Sequence, residues 1–173
     1  MHTPPAVIRI LLRQLAALIV GLSLGCAALA DPPEGYPFVD YDSGLAQAKA
    51  ENKPILLYFG RYGCAWCEHT NRKTFSDPEI KRIYSENYVL VYADAEGNRR
   101  LRLPSGERIT EGELGARLGA FATPLFVFLT AEGRQVAKVP GFKTVDDFKD
   151  YDRYVRGRHY ESQSLTEFLK SRP

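Results

Sequence analysis

Cys64 and Cys67 stand three positions apart, directly after the apolar run Ile55 to Phe59 and the loop Gly60-Arg61-Tyr62-Gly63. A bridge that short closes almost no chain, so as a staple it would gain little from restricting the unfolded state. Two free structural thiols would instead oxidise in an oxidising compartment. The pair makes sense as chemistry, and that chemistry asks for a strand, a loop and a helix start in this order.

A thiol reacts as its thiolate, so a redox cysteine needs a field that favours the anion while leaving the sulfur reachable. A helix N-terminus supplies both. From Cys64 to about Phe75 the chain has no Gly or Pro and contains Glu68, Arg72 and Lys73, which favours helix. Cys64 is thus expected over unpaired backbone N–H groups, with Cys67 one turn in beneath it. Cys64 would attack a substrate disulfide, and Cys67 would displace the mixed disulfide because it is tethered at high effective concentration.

The rest of the chain alternates strand and helix patterns. Ser43 to Glu51 is expected to be a short helix capped by Asp42 or Ser43, and Ile55 to Phe59 a buried strand. Asp77-Pro78-Glu79 is a helix start with Asp77 as N-cap and Pro78 at the first turn. Tyr88 to Ala93 is the next strand, parallel to the first through a right-handed crossover. Residues Glu96 to Thr110 are polar, with Leu101, Leu103 and Ile109 alternating around Pro104-Ser105-Gly106, as in a small hairpin. A helix from Thr110 or Glu111 ends at Gly119. Leu125 to Leu129 and Gln135 to Val139 make an antiparallel hairpin, and Thr144 to Arg156 and Ser164 to Lys170 are helical.

With 173 residues, 45% hydrophobic and 25% charged, one globular domain is the default reading. The first thirty residues are expected to stand apart from it. Arg9 and Arg13 precede the charge-free stretch Leu15 to Ala30, and Ala28-Leu29-Ala30 offers small residues for a signal peptidase, so cleavage is expected after Ala30. The alternatives are an uncleaved anchor, for which the stretch falls short of the roughly 18 to 20 residues that span a bilayer, and lipid attachment at Cys26. The expected division is 1–30 signal peptide, 31–42 a linker or surface arm, and 43–173 the domain.

Cleavage removes Arg9 and Arg13 from the 23 Lys and Arg, leaving 21 against 21 Asp and Glu. No basic field for nucleic acid survives. It also removes Cys26 and leaves Cys64 and Cys67 as the cysteines. A zinc site would need two further ligands, and His69 and His159 are not clustered with the pair. Covalent haem requires His directly after the second cysteine, where Glu68 stands. No cofactor is expected beyond the redox-active disulfide itself.

A strand, then Tyr62-Gly63-Cys64-Ala65-Trp66-Cys67 opening a helix, then a strand, a helix, and Ala122-Thr123-Pro124 before a hairpin ending in Gly141 resembles the thioredoxin superfamily. The resemblance covers about Leu45 to Val155. It implies an α/β thioredoxin-like fold: a central mixed sheet of about four to five strands flanked by helices, a polar insertion before the third helix, and a C-terminal helical extension. It further implies that Thr123-Pro124 is the cis-proline, lying against the cysteines, with the backbone of Thr123 pairing with substrate peptide.

Within that superfamily, the run from Thr110 to Phe142, the Asp77-Pro78-Glu79 start and the tail with Tyr154 to Gly157 and Phe168-Leu169 resemble exported thioredoxins of sulfur-oxidation systems, the SoxW type. That implies a periplasmic reductant which takes electrons from a membrane thiol transporter and keeps partner thiols reduced. Thioredoxins proper hold a buried Asp, proton acceptor for the second cysteine, at the place of Tyr58 here. Glu68 or a water would then move that proton, although a solvated surface role fits Glu68 as well. Trp66 and Tyr62 are candidate substrate contacts at the rim, with packing the alternative for Trp66. His69 is expected on the surface, facing elsewhere. Tyr151, Tyr154 and Tyr160 are expected to pack a terminal helix. The same cysteines would also serve a dithiol oxidase, or a non-enzymatic peptide-binding module whose disulfide only locks its site.

Overall fold

The computed structural model describes residues 32–171, so the expected leader, its expected cleavage site and Cys26 lie outside the described residues. β1 (Ile55–Gly60) is buried along its whole length, as a strand covered on both faces must be. It pairs in parallel with β2 (Val89–Asp94), from Ile55 opposite Val89 to Gly60 opposite Asp94. On its other side it runs antiparallel to β5 (Leu125–Leu129), which pairs antiparallel with β6 (Gln135–Pro140). The result is a mixed four-stranded sheet of order β2-β1-β5-β6.

Side chains alternate across this sheet, so one hydrophobic run feeds two cores. Leu56 and Tyr58 join Leu90, Phe126, Phe128 and Phe148 on one face. Ile55, Leu57 and Phe59 join Val91, Val127, Tyr41 and Leu114 on the other. The first face is covered by α2 (Ala65–Lys73), α3 (Pro78–Asn87) and α5 (Val145–Arg156), the second by α1 (Tyr41–Glu51) and α4 (Glu111–Leu118). With α6 (Leu165–Lys170) these are six α-helices among the described residues.

The helix starts are where the polar residues put them. Asp77 accepts from the N–H groups of Glu79 and Ile80 with Pro78 in the first turn, and Thr110 with Glu113 and Thr144 with Asp147 form reciprocal capping boxes. Gly119 ends α4 in the left-handed region, at φ 77°.

One expectation needs correction. α1 begins at Tyr41, two positions before Ser43, because Asp40 is the cap: its carboxylate accepts from Ser43 N–H at 3.0 Å. The segment before it lies against the edge of the sheet. Val39 forms a parallel bridge with Val91, donating to Leu90 O and accepting from Tyr92 N–H, and so covers the outer edge of β2. Tyr36 adds a hydrogen bond from its hydroxyl to Phe75 O at 2.9 Å.

The polar insertion folds as a separate antiparallel ribbon, β3 (Arg100–Arg102) with β4 (Arg108–Thr110), whose Leu101 and Ile109 are buried in the second core. At the far end, Tyr151 and Tyr154 are buried; the Tyr154 ring meets Phe168 of α6 at 5.4 Å and Tyr160 at 6.3 Å, so the late aromatics pack as expected.

Candidate active site

β1 ends at Gly60, and three residues later Gly63, at φ 67°, turns the chain into α2. Cys64 is the N-cap of that helix, and its Sγ accepts from Cys67 N–H at 3.1 Å. Unpaired N–H groups at a helix start are what a sulfur anion would seek. Cys64 and Cys67 are joined as a disulfide with Cα atoms 5.2 Å apart, and both are nearly buried.

The Thr123–Pro124 bond is cis, and it delivers the Thr123 hydroxyl to 3.1 Å from Cys64 Sγ. Pro124 O accepts from Gly141 N–H at 2.8 Å, with Gly141 at φ 74°, so the late glycine ties this loop to the end of β6. Residues 59 positions apart thereby meet at one sulfur atom.

Among the described residues the large exposed hydrophobic side chains are Tyr62, Trp66 and Phe121, with 67%, 61% and 83% of their surfaces open. One precedes the cysteine pair, one lies within it, and one precedes the cis-proline. Three exposed aromatic side chains therefore belong to the segments that carry the disulfide and the cis-proline.

His69 packs against aromatic rings rather than standing free on the surface. It is half-buried, meeting Phe142 at 4.7 Å and Trp66 at 5.4 Å between ring centres. The spacing of three from Trp66 puts both on one helix face, a signal present in the sequence. Phe142 had no such signal, since it arrives from the loop after β6. Thr74 Oγ holds that loop by donating to Lys143 O at 2.6 Å.

The place of the superfamily's buried Asp is filled by Tyr58, fully buried, whose hydroxyl donates to Asn71 Oδ1 at 3.2 Å. Burial pushes its phenol far above the ordinary range, so it stays neutral. Glu68 is exposed and pairs with Arg72 at 3.7 Å, along the helix surface. The buried carboxylates Glu111, Asp150 and Asp152 are each engaged by an arginine: Arg99, Arg153 and Arg156. No group of three or more His, Cys, Asp or Glu among the described residues could hold a metal ion.

A family model described as a thioredoxin-like domain matches residues 41–156. The chain belongs to the thioredoxin-like family. Residues 41–156 run from the first residue of α1 to the last of α5, so the match takes in the disulfide and the cis-proline loop. Among curated relatives of this thioredoxin-like chain, the disulfide bond reductase DsbH of Chlamydia pneumoniae is 30% identical over 104 residues, covering 60% of this chain and 61% of that protein. The thiol:disulfide interchange protein DsbD of Cronobacter sakazakii is 31% identical over 111 residues, covering 63% of this chain but 17% of that one. The chain thus spans less than two thirds of either relative. Among solved structures, a thioredoxin from Thermus thermophilus superposes with a TM-score of 0.57 at 25% identity, covering 70% of this chain and 87% of that one.

Proposed function

We propose that this chain is a thiol–disulfide oxidoreductase that reduces protein disulfides or carries electrons to them. The observation that carries the reading is the Cys64–Cys67 disulfide at a helix start, with the Thr123 hydroxyl on Cys64. In the dithiol form, Cys64 as thiolate attacks one sulfur of a partner disulfide. An S–S bond forms between Cys64 and the partner as the partner's own bond breaks, and the leaving thiolate takes a proton. Cys67, losing its proton, then attacks Cys64 Sγ. The second partner thiol departs, and two electrons have passed to the partner as Cys64–Cys67 closes. A dithiol donor resets the cycle.

Cys64 attacks because it caps the helix, next to the Gly63 turn and the exposed Tyr62 and Trp66. Cys67 lies within the first turn. A partner segment would run along the rim of Tyr62 and Trp66 and pair with the backbone at Thr123, beside Pro124. A water at Cys67 is the simplest proton acceptor, because Tyr58 is neutral and Glu68 faces Arg72.

The direction and place belong to the same proposal: a periplasmic, SoxW-type reductant, exported by its leader and recharged by a membrane thiol transporter. The resemblance of the two motifs and the likeness to DsbH and DsbD support it. Replacement of Cys67 by Ser tests the chemistry, since partners should then accumulate as reducible adducts through Cys64. An equilibrium with glutathione tests the direction. Thioredoxin lies at roughly −270 mV and a strong oxidant at roughly −120 mV; a potential above the glutathione couple would reverse the assignment to dithiol oxidase. Binding of partners without any covalent adduct would favour the peptide-binding module.

A further inference from the structure

The β3–β4 ribbon turns Leu101 and Ile109 inward, which leaves Arg100, Arg102 and Arg108 exposed on its outer face. Arg102 stands directly opposite Arg108. Hydrogen bonds from Leu103 N–H to Glu107 O and from Glu111 N–H to Arg99 O place the bonded pairs at the odd-numbered positions. Arg102 and Arg108 therefore occupy a non-hydrogen-bonded pair, where opposing side chains come closest. Like charges at such a pair are destabilising.

Nearby carboxylates form no ion pair with them among the described residues. Glu107 forms a two-pronged pair with Arg117, Glu111 pairs with Arg99, Glu113 accepts from Thr110 N–H, and Asp42 accepts from the backbone N–H of Arg102. Glu113 lies close enough to Arg100 to feel its charge, but its hydrogen bonds go to Thr110. Three guanidiniums therefore share one small face with no carboxylate ion pair among the described residues. The Arg102–Arg108 pair costs the fold stability, and an anionic visitor would offset that cost.

The ribbon also springs from the redox end of the sheet. It follows the C-terminal end of β2, where Asp94 stands opposite Gly60. Arg61 pairs with Glu96 at 2.9 Å, and Arg61 O accepts from Cys64 N–H at 3.3 Å, joining the ribbon's root to the cysteine loop.

We propose that Arg100, Arg102 and Arg108 form a docking surface for an acidic segment of the polypeptide whose disulfide is reduced at Cys64. This rests on the oxidoreductase reading for the identity of the partner. Glu107, Glu113 and Asp42, interleaved with the arginines, would repel a flat anionic membrane, whereas a polypeptide segment can thread between them.

The test uses the full chain in its oxidised form and three probes: a labelled glutamate-rich peptide, a glutamine-rich peptide of equal length, and phosphatidylglycerol vesicles. The glutamate peptide is expected to bind about tenfold more weakly to R100Q/R102Q/R108Q than to the parent, with added salt closing the gap. The single variant Arg108→Gln should show a smaller loss, and its melting temperature should not fall, because a like-charge contact has been relieved. Equal binding by parent and triple variant would overturn the proposal. So would vesicles that bind more tightly than the peptide with the same arginine dependence. Binding involves no turnover, and reduction of a neutral disulfide peptide, measured alongside, should be the same in both proteins. Absence of that reduction in the parent would count against the oxidoreductase reading while leaving the binding result to stand or fall by itself.

Discussion

At the scale of single residues, the contact that most affects chemistry is the Thr123 hydroxyl 3.1 Å from Cys64 Sγ. A hydroxyl donating to sulfur is worth more when the sulfur is anionic, so the same contact favours the thiolate once the disulfide opens. Thr123→Val keeps the shape and removes the donor. The reduced variant is expected to alkylate at Cys64 about tenfold more slowly at neutral pH, the effect of one hydrogen bond to a charged group. A small alkylating reagent reads the thiolate without the peptide-pairing role of the backbone, and an unchanged rate would assign the contact to packing alone.

At the scale of elements, α1 depends on a cap that lies ahead of the pattern that announced the helix. Asp40 accepts from both the N–H and the hydroxyl of Ser43, which holds its carboxyl below the usual range. Asp40→Ala should cost about 1 kcal/mol in denaturant unfolding near neutrality. The folded pKa is depressed, so this stability is present above the unfolded carboxyl pKa and lost as pH falls through the folded one. Parent and variant curves should therefore converge in acid; a gap that persists there would remove the charge from the explanation. The approach of α1 to the sheet is a separate constraint: a Cβ on Gly44 would lie 2.2 Å from Val91 Cγ2. Gly44→Ala is expected to destabilise by about 1 to 3 kcal/mol through overpacking.

At the scale of the whole molecule, the redox end and the C-terminal extension lie at opposite ends of β1. The disulfide follows Gly60, whereas Tyr160 and Arg158 line a cleft of about 530 Å³ with Lys53 and Pro54, at the strand's start. Removing residues 163 onward would uncover the Tyr154 ring, now 2% exposed and hydrogen-bonded to Gln163 O. The expected cost is about 2 kcal/mol of stability, with reduction of a small disulfide unchanged. Lost activity in a truncated chain that still folds would show that the two ends are coupled.

Much of this was legible in the sequence. The cysteine pair after a buried run, the cap at Asp77, the parallel and antiparallel strand pairs and the ribbon around Pro104-Ser105-Gly106 follow from patterns a few residues long, where chain connectivity already places the partners. What only the tertiary structure decided joins residues far apart in the chain: Thr123 on Cys64, Phe142 against His69 and Trp66, Val39 along β2, and Tyr58 bonded to Asn71 in place of a buried carboxylate. The sequence contains both members of each pair but not the distance between them. That distance is set by how the sheet packs its two cores, and no local pattern encodes it.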